Sequence, residues 1–564
     1  MTDPLNQITG EDYDAIVVGS GITGGWAAKE LCEQGLRVLM LERGKPLDHP
    51  NYPGSLDAPW QIDHRSQLTQ TDREQSHIQA RHWSFRGENK QYYINDLENP
   101  YVEKQRFDWI RGNIVGGRSL LWSRMSFRWS DLDFEANLRD GHGVDWPVRY
   151  RDIAPWYDYV EEYIGVSGNQ DGVPQLPDGK FLPPMEMNCV EIDFRQKMQT
   201  SFPDRPVLIG RVANLTKPLP GRGSCQYRNQ CHRGCSFGAY FSTNSSTLPA
   251  AHATGRLTLV SNAIVNRVLY DEKKQRASGV EYIDSMTGKS VEVHARMVML
   301  NASTLGTAFI LLNSTSSRFP NGLGNGSDQV GRNIMDHHKG SGANAMVEGF
   351  DDKYYHGRRP VGIYIPRFKN LKSHSEKYLR GFGLQGGAGR GGWGDQLNSP
   401  SLGEELKAAV TSPGPWTMNL LGFGECLPHP ENRVTLHPEE KDHWGRPALQ
   451  MDVRFRENET TMNEEMATAA AEMLEAAGYK KVKPYRAISF PGNANHEMGS
   501  ARMGRDSKTS VLNGYNQMHE VPNVFITDGS CMASSSCVNP SLTYMALTAR
   551  ACHYAVDEMK KRNL

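Results

Sequence analysis

Apolar residues gather in two short unbroken runs near the start of the chain, 15–18 and 38–41, with a helix-compatible stretch between them. A run this short, bounded by glycine, predicts a strand buried on both faces, as in a parallel sheet. Gly19, Gly21 and Gly24 make a G-x-G-x-x-G turn after the first run. Residues 24–34 read as a helix, and Gly35 stands where a helix-ending glycine belongs. Later segments at 257–260, 263–265, 279–283 and 291–293 read as short strands, 296–300 as another buried strand and 304–313 as a helix. Residues 151–164 alternate as an amphipathic helix, and 456–477 are the most helix-prone stretch of the chain. Residues 45–100 have no period and read as a surface excursion. The stretch from 345 to 425 reads as glycine-rich turns, notably 384–394, mixed with short strands. The pattern predicts an α/β chain of 564 residues in which a dinucleotide-binding domain is interrupted by a second domain and completed by the C-terminus.

The glycine turn has a chemical meaning. Its glycines allow a tight bend, close approach of backbone to a pyrophosphate, and close helix–strand packing. The following helix offers free N–H groups and a positive dipole end to phosphate. Glu42, at the end of the second strand, lies where an acid reaches a ribose hydroxyl.

Charge narrows the partners. Lys and Arg number 63 against 64 Asp and Glu, so nothing points to nucleic acid or an anionic membrane. No apolar run reaches the roughly 18 residues of a membrane helix. The polar N-terminus lacks an export signal.

Six of the nine cysteines, Cys32, Cys189, Cys426, Cys531, Cys537 and Cys552, are scattered and read as small apolar side chains. Cys225, Cys231 and Cys235 are clustered as C-x5-C-x3-C among Arg, Asn, Gln and Gly. A disulfide would strand one of them. A zinc site would need His232 as a fourth ligand, although it adjoins Cys231. An iron–sulfur cluster fits better, because three thiolates suit a [3Fe–4S] cluster and small polar neighbours leave N–H groups free for the sulfurs.

The C-terminus is dense in motifs. Residues 496–504 read His-Glu-Met-Gly-Ser-Ala-Arg-Met-Gly, 528–530 read Asp-Gly-Ser, and 538–543 read Val-Asn-Pro-Ser-Leu-Thr. With the opening glycine turn and Gly116-Gly117-Arg118-Ser119, this resembles the glucose–methanol–choline (GMC) family of FAD-dependent oxidoreductases. The resemblance implies a Rossmann-like FAD-binding domain (1–45, 100–130, 240–345, 490–564). It is interleaved with an α+β substrate-binding domain on a mostly antiparallel sheet (131–220, 346–489), and 221–240 forms the cluster segment. It implies FAD contacts from Gly19, Gly21, Ile22, Thr23, Gly24, Glu42, Arg43, Gly116, Gly117, Ser119, Val265, Asp528, Gly529, Asn539, Pro540 and Leu542. Leu121 stands where some relatives carry a flavin-linked histidine, so the FAD is expected to be non-covalent. His496 falls at the family's catalytic histidine and Asn539 at its partner.

The chemistry agrees. Alcohol oxidation needs the hydroxyl proton removed as hydride leaves the carbinol carbon. A neutral imidazole can take that proton. Asn539 can orient the hydroxyl but not act as base. His337 and His338 read as structural residues lining the flavin domain.

The cysteine stretch is similar to that of a bacterial sugar-dehydrogenase branch of the family, and 496–504 to its glucoside 3-dehydrogenases. The branch implies oxidation of a pyranoside hydroxyl at C3, electrons leaving through the cluster to a cytochrome c, and a small export-signal-bearing subunit taking the protein to the periplasm. Without such a partner the protein is expected in the cytoplasm. The alternative is a dioxygen-using sugar or C-glycoside oxidase without a cluster.

Overall fold

The computed structural model describes residues 13–354, 361–373, 376–392 and 401–564. Trp393 and Gly394, at the end of the glycine-rich stretch, and the N-terminal residues bearing on export lie outside the described residues.

Two sheets carry the molecule. The first holds β1 (Tyr13–Val18), β2 (Val38–Leu41), β3 (Leu257–Val260), β4 (Ala263–Asp271), β5 (Arg276–Asp284), β6 (Ser290–Leu300) and the short strand Val524–Ile526. Its order is β3-β2-β1-β6-β5-β4, with Val524–Ile526 parallel to the end of β6. β1, β2, β3 and the end of β6 run parallel, whereas β4, β5 and the start of β6 form an antiparallel meander. Between β1 and β2 lies α1 (Ile22–Glu33). It ends as expected: the N–H of Gly35 bonds the Cys32 carbonyl and that of Leu36 the Leu31 carbonyl, with Gly35 at φ +95°.

One strand differs from the sequence reading. The segments at 291–293 and 296–300 are a single strand, β6, whose environment changes midway. Its first half pairs only with β5 and alternates between buried and exposed residues. Its second half is flanked by β1 and by Val524–Ile526, and Met297 to Leu300 are continuously buried. The periodicity changes because the burial changes.

The second sheet is antiparallel throughout. Its strands are β7 (His338–Val347), β8 (Ile363–Ile365), β9 (Phe382–Arg390), β10 (Trp416–Gly424) and β11 (Lys480–Arg486), ordered β11-β7-β10-β9-β8 and closed by Leu208–Ile209. Here the expected glycine-rich turn is a strand. The glycines of β9 serve close packing: a Cβ on Gly386 would lie 2.3 Å from the Asn419 carbonyl oxygen, and one on Gly383 2.3 Å from the Tyr364 hydroxyl. The helix-prone stretch forms α2 (Glu457–Ala476). Met462, Met466, Ala469, Ala470, Met473 and Leu474 face the sheet, packing on Ala343, Met418 and Leu420. A small sheet of Val102–Glu103, Arg433–Lys441 and Pro447–Asp452 stands apart. Among the described residues, no helix is long and apolar enough to cross a membrane.

Met466 is fully buried between α2 and the sheet. Met466→Ala should therefore cost about 2–5 kcal/mol, read as a lowered denaturation midpoint.

Candidate active site

A cavity of 460 Å³ opens where β1, β2 and β6 end. In parallel sheets this is where ligands bind. Gly19, Gly21, Ile22, Thr23, Glu42, Arg43, Gly117, Ser119, Val265, His496, Asp528, Gly529 and Asn539 all border it, as does Leu121. Four residues from the motifs do not. A Cβ on Gly24 would sit 1.9 Å from the Gly19 carbonyl oxygen, so Gly24 keeps α1 close to its strand. Gly116 (φ +94°) donates its N–H to Ser20 Oγ at 2.8 Å. Pro540 precedes the last helix, α3 (Ser541–Lys560), and Leu542 is wholly in the core.

The turn is built to leave room. A Cβ on Gly21 would meet nothing within 4 Å, because the position faces open space. Glu42 ties the turn together: Oε2 accepts from the N–H (2.9 Å) and hydroxyl (2.6 Å) of Ser20, and Oε1 from the Gly44 N–H (2.7 Å). That uses three of the roughly four acceptor positions of a carboxylate. Arg43 Nε and the Tyr544 hydroxyl, on the cavity wall, are buried without a hydrogen-bond partner. Such a wall suits a large polar ligand with a phosphate-bearing part. His82, Trp83, Ser84 and Tyr93, from the aperiodic excursion, border the same cavity.

His496 is held from two sides. Met335 and Met498 exchange both backbone hydrogen bonds at 2.9 Å. The N–H groups of Gly499, Ala501 and Met503 bond the carbonyls of Gly529, Ser530 and Cys531 at 3.0, 3.0 and 2.8 Å. Asp336 accepts the N–H of Ala494 and of His496 itself. This zipper explains why residues 335–336, 496–504 and 528–531, separate in the chain, carry one site.

The side-chain arrangement corrects one expectation. His337 does more than line the domain: its Nδ1 lies 2.9 Å from Nδ1 of His496, and its Nε2 3.1 Å from the Ser535 carbonyl oxygen. On its other side, His496 Nε2 lies 3.3 Å from Asn539 Nδ2, and Gln385 of β9 donates to Asn539 Oδ1 at 2.9 Å. His338, by contrast, is buried at the start of β7. Burial pushes the His496 imidazole well below its ordinary pKa, helped by the charges of His337, Lys339, Arg118 and His82. Burial likewise lowers His337 to about 4. Asp336 is pushed up to about 7 by burial and by neighbouring Glu497. The site therefore presents a neutral imidazole next to an amide, facing a cavity.

A second, small cavity of 30 Å³ is ringed by Cys225, Cys231 and Cys235, with Asn214, Tyr240 and the backbone between them. All three are free thiols. Burial raises the Cys225 thiol, with Cys231 and Cys235 adding to the effect. Among the described residues, no group of three or more His, Cys, Asp or Glu converges as it would around one metal ion. His232 is paired with Glu88, away from the cysteines. Asn214 Oδ1 is buried at this wall without a partner. The segment is clamped by the excursion. Tyr92 donates to the Arg233 carbonyl (2.9 Å), Ser55 meets Ser236 (2.5 Å), Arg228 bonds the Ser55 carbonyl (3.0 Å), and Glu88 pairs with Arg233 (3.0 Å).

The two cavities share a wall. Leu121 and Trp122 border the large one and Tyr240 the small one. The Tyr240 hydroxyl bonds the Leu120 carbonyl (3.0 Å), and Trp122 Nε1 bonds the Phe241 carbonyl (2.9 Å).

Comparison with known proteins gives the same outline. Two models described as GMC oxidoreductase match residues 13–339 and 428–548. The chain is 27% identical to 2-methyl-1,2-propanediol dehydrogenase of Mycolicibacterium austroafricanum, covering 96% of this chain and 95% of the relative. It is 26% identical to the fructose dehydrogenase large subunit of Gluconobacter japonicus, covering 97% and 98%. Pyridoxine 4-oxidase from Mesorbium loti superposes with a TM-score of 0.62 at 15% identity, covering 97% of this chain and 99% of that one.

Proposed function

The chain belongs to the GMC oxidoreductase family, and from that premise we propose that it is an FAD-dependent dehydrogenase of a sugar or glycoside, oxidising a secondary hydroxyl, at C3 of a pyranose, to the ketone. The observation that carries the reading is the pair of adjoining cavities, one facing the His496–Asn539 pair and one ringed by three thiols. Gly19, Gly21, Thr23 and Arg43 would hold the pyrophosphate side of FAD, Glu42 and Val265 its adenosine side, and Gly117, Ser119, Asp528 and Gly529 its remainder. Cys225, Cys231 and Cys235 would hold a [3Fe–4S] cluster. Such a cluster spreads its cysteines over separate irons, so thiols spaced around a hollow suit it, whereas thiols converging on one point suit zinc. When bound, FAD supplies a two-electron hydride acceptor and the cluster a one-electron outlet.

The chain's own residues do the rest. Asn539 holds the substrate hydroxyl against His496, and His496 Nε2 takes its proton. The residues of β9 and β10 that border the cavity, Gln385, Leu421 and Phe423, shape the substrate side. The likeness of residues 496–504 to glucoside 3-dehydrogenases supports the C3 position. A relative named as a large subunit, and the sequence similarity around the cysteines, support an external acceptor such as a cytochrome c and a small subunit that brings the protein to the periplasm.

Three tests follow. His496→Ala should slow flavin bleaching by a panel of pyranoses and methyl pyranosides about 10²–10⁴-fold with FAD still bound; unchanged bleaching removes His496 as base. Because the neutral imidazole is the active form and its pKa is depressed, bleaching should stay flat from about pH 6.5 upward and fall only at lower pH, measured at saturating substrate. Purified protein should contain about three irons and acid-labile sulfide per flavin, and the reduced enzyme should pass electrons to a dye far faster than to dioxygen. Iron-free, peroxide-producing enzyme would instead be the oxidase.

A further inference from the structure

The hydrogen bonds around His496 run in one direction only. His337 Nε2 faces the Ser535 carbonyl oxygen at 3.1 Å. A carbonyl can only accept, so that nitrogen carries the proton, and a neutral His337 has a bare Nδ1. That bare nitrogen lies 2.9 Å from His496 Nδ1, so the hydrogen between them belongs to His496. A neutral imidazole has one N–H, so His496 Nε2 is left with its lone pair.

The other end fits the same arrangement. Gln385 donates to Asn539 Oδ1 at 2.9 Å, which turns the Asn539 amide so that its NH₂ faces His496 Nε2 at 3.3 Å. An NH₂ group needs an acceptor there. The opposite tautomer would set N–H against N–H at Asn539 and bare nitrogen against bare nitrogen at His337. It would also present a donor to a hydroxyl that has to give up its own proton.

We propose that His337 is a positioning residue that fixes His496 in the Nδ1–H tautomer and so keeps Nε2 bare for the substrate proton. The proposal rests on His496 being the base. His337 itself is fully buried and does not border the cavity, so it acts through His496 alone. Its own anchor is firm: the Ser535 hydroxyl bonds both the N–H and the carbonyl of Cys426 at 3.0 Å.

The test compares His337→Leu with His337→Asn in the flavin-loaded enzyme, using the best sugar of the panel above. Leucine removes the acceptor, whereas the asparagine oxygen can replace Nδ1. His337→Leu should slow bleaching by about 100-fold or more, with KM and flavin content little changed, since a partner that sets a histidine tautomer can be worth up to about 10⁴ in rate. His337→Asn should recover to within about 10-fold of wild type. Asparagine falling as far as leucine, or leucine without effect, overturns the proposal. A direct readout stands apart from activity and from the variants. Two-bond ¹H–¹⁵N correlation of the ¹⁵N-histidine-labelled holoenzyme, with His496 assigned through His496→Gln, should show the proton on Nδ1; a proton on Nε2 refutes the idea even if His337→Leu fails to fold. If His496→Ala leaves bleaching intact, the base reading falls first. If it abolishes bleaching while His337→Leu does not, only the tautomer reading falls.

Discussion

The structure depends on a backbone zipper with the segment 494–503 at its centre. Residues 335–336 bind this segment on one side and residues 529–531 on the other. All are buried or nearly so, and every backbone group taken from water in such a place must find a partner. The zipper meets that demand and delivers His496 to the edge of the large cavity. It also puts the C-terminal part of the chain beside the sheet formed mostly by its first 300 residues. Side-chain chemistry at the site is thus a product of main-chain bonding between segments remote in sequence.

Local signals were the legible ones. The run from β1 through Gly19 to β2 announces itself because buried parallel strands are continuously apolar and the glycines are dictated by backbone geometry. The motif residues of both ends then meet at one cavity. What could not be seen locally was read wrongly or not at all. Residues 384–394 looked like turns because glycine usually marks them, whereas through Arg390 they form a strand whose neighbours press too close for a side chain. β6 looked like two strands because its surroundings change along its length. His337 looked structural because its partner lies 159 residues away and only tertiary packing brings the rings together. Gln385 carried no signal for the same reason.

The cysteine segment shows how a spacing and a geometry answer different questions. The spacing set three clustered cysteines apart from six scattered ones. The geometry adds that the thiols surround a hollow, that His232 is engaged with Glu88, and that Leu120 to Trp122 and Tyr240 to Phe241 separate this hollow from the larger one.

The excursion at 45–100 borders the large hollow through His82, Trp83, Ser84 and Tyr93, and clasps the cysteine segment through Ser55, Glu88 and Tyr92. Its lack of periodicity conceals a double duty. A substitution there would be felt at two places at once, so drift in this stretch is constrained by the sum of both requirements. Redesigning the wall of the large cavity through it would also disturb the cysteine segment that it clamps.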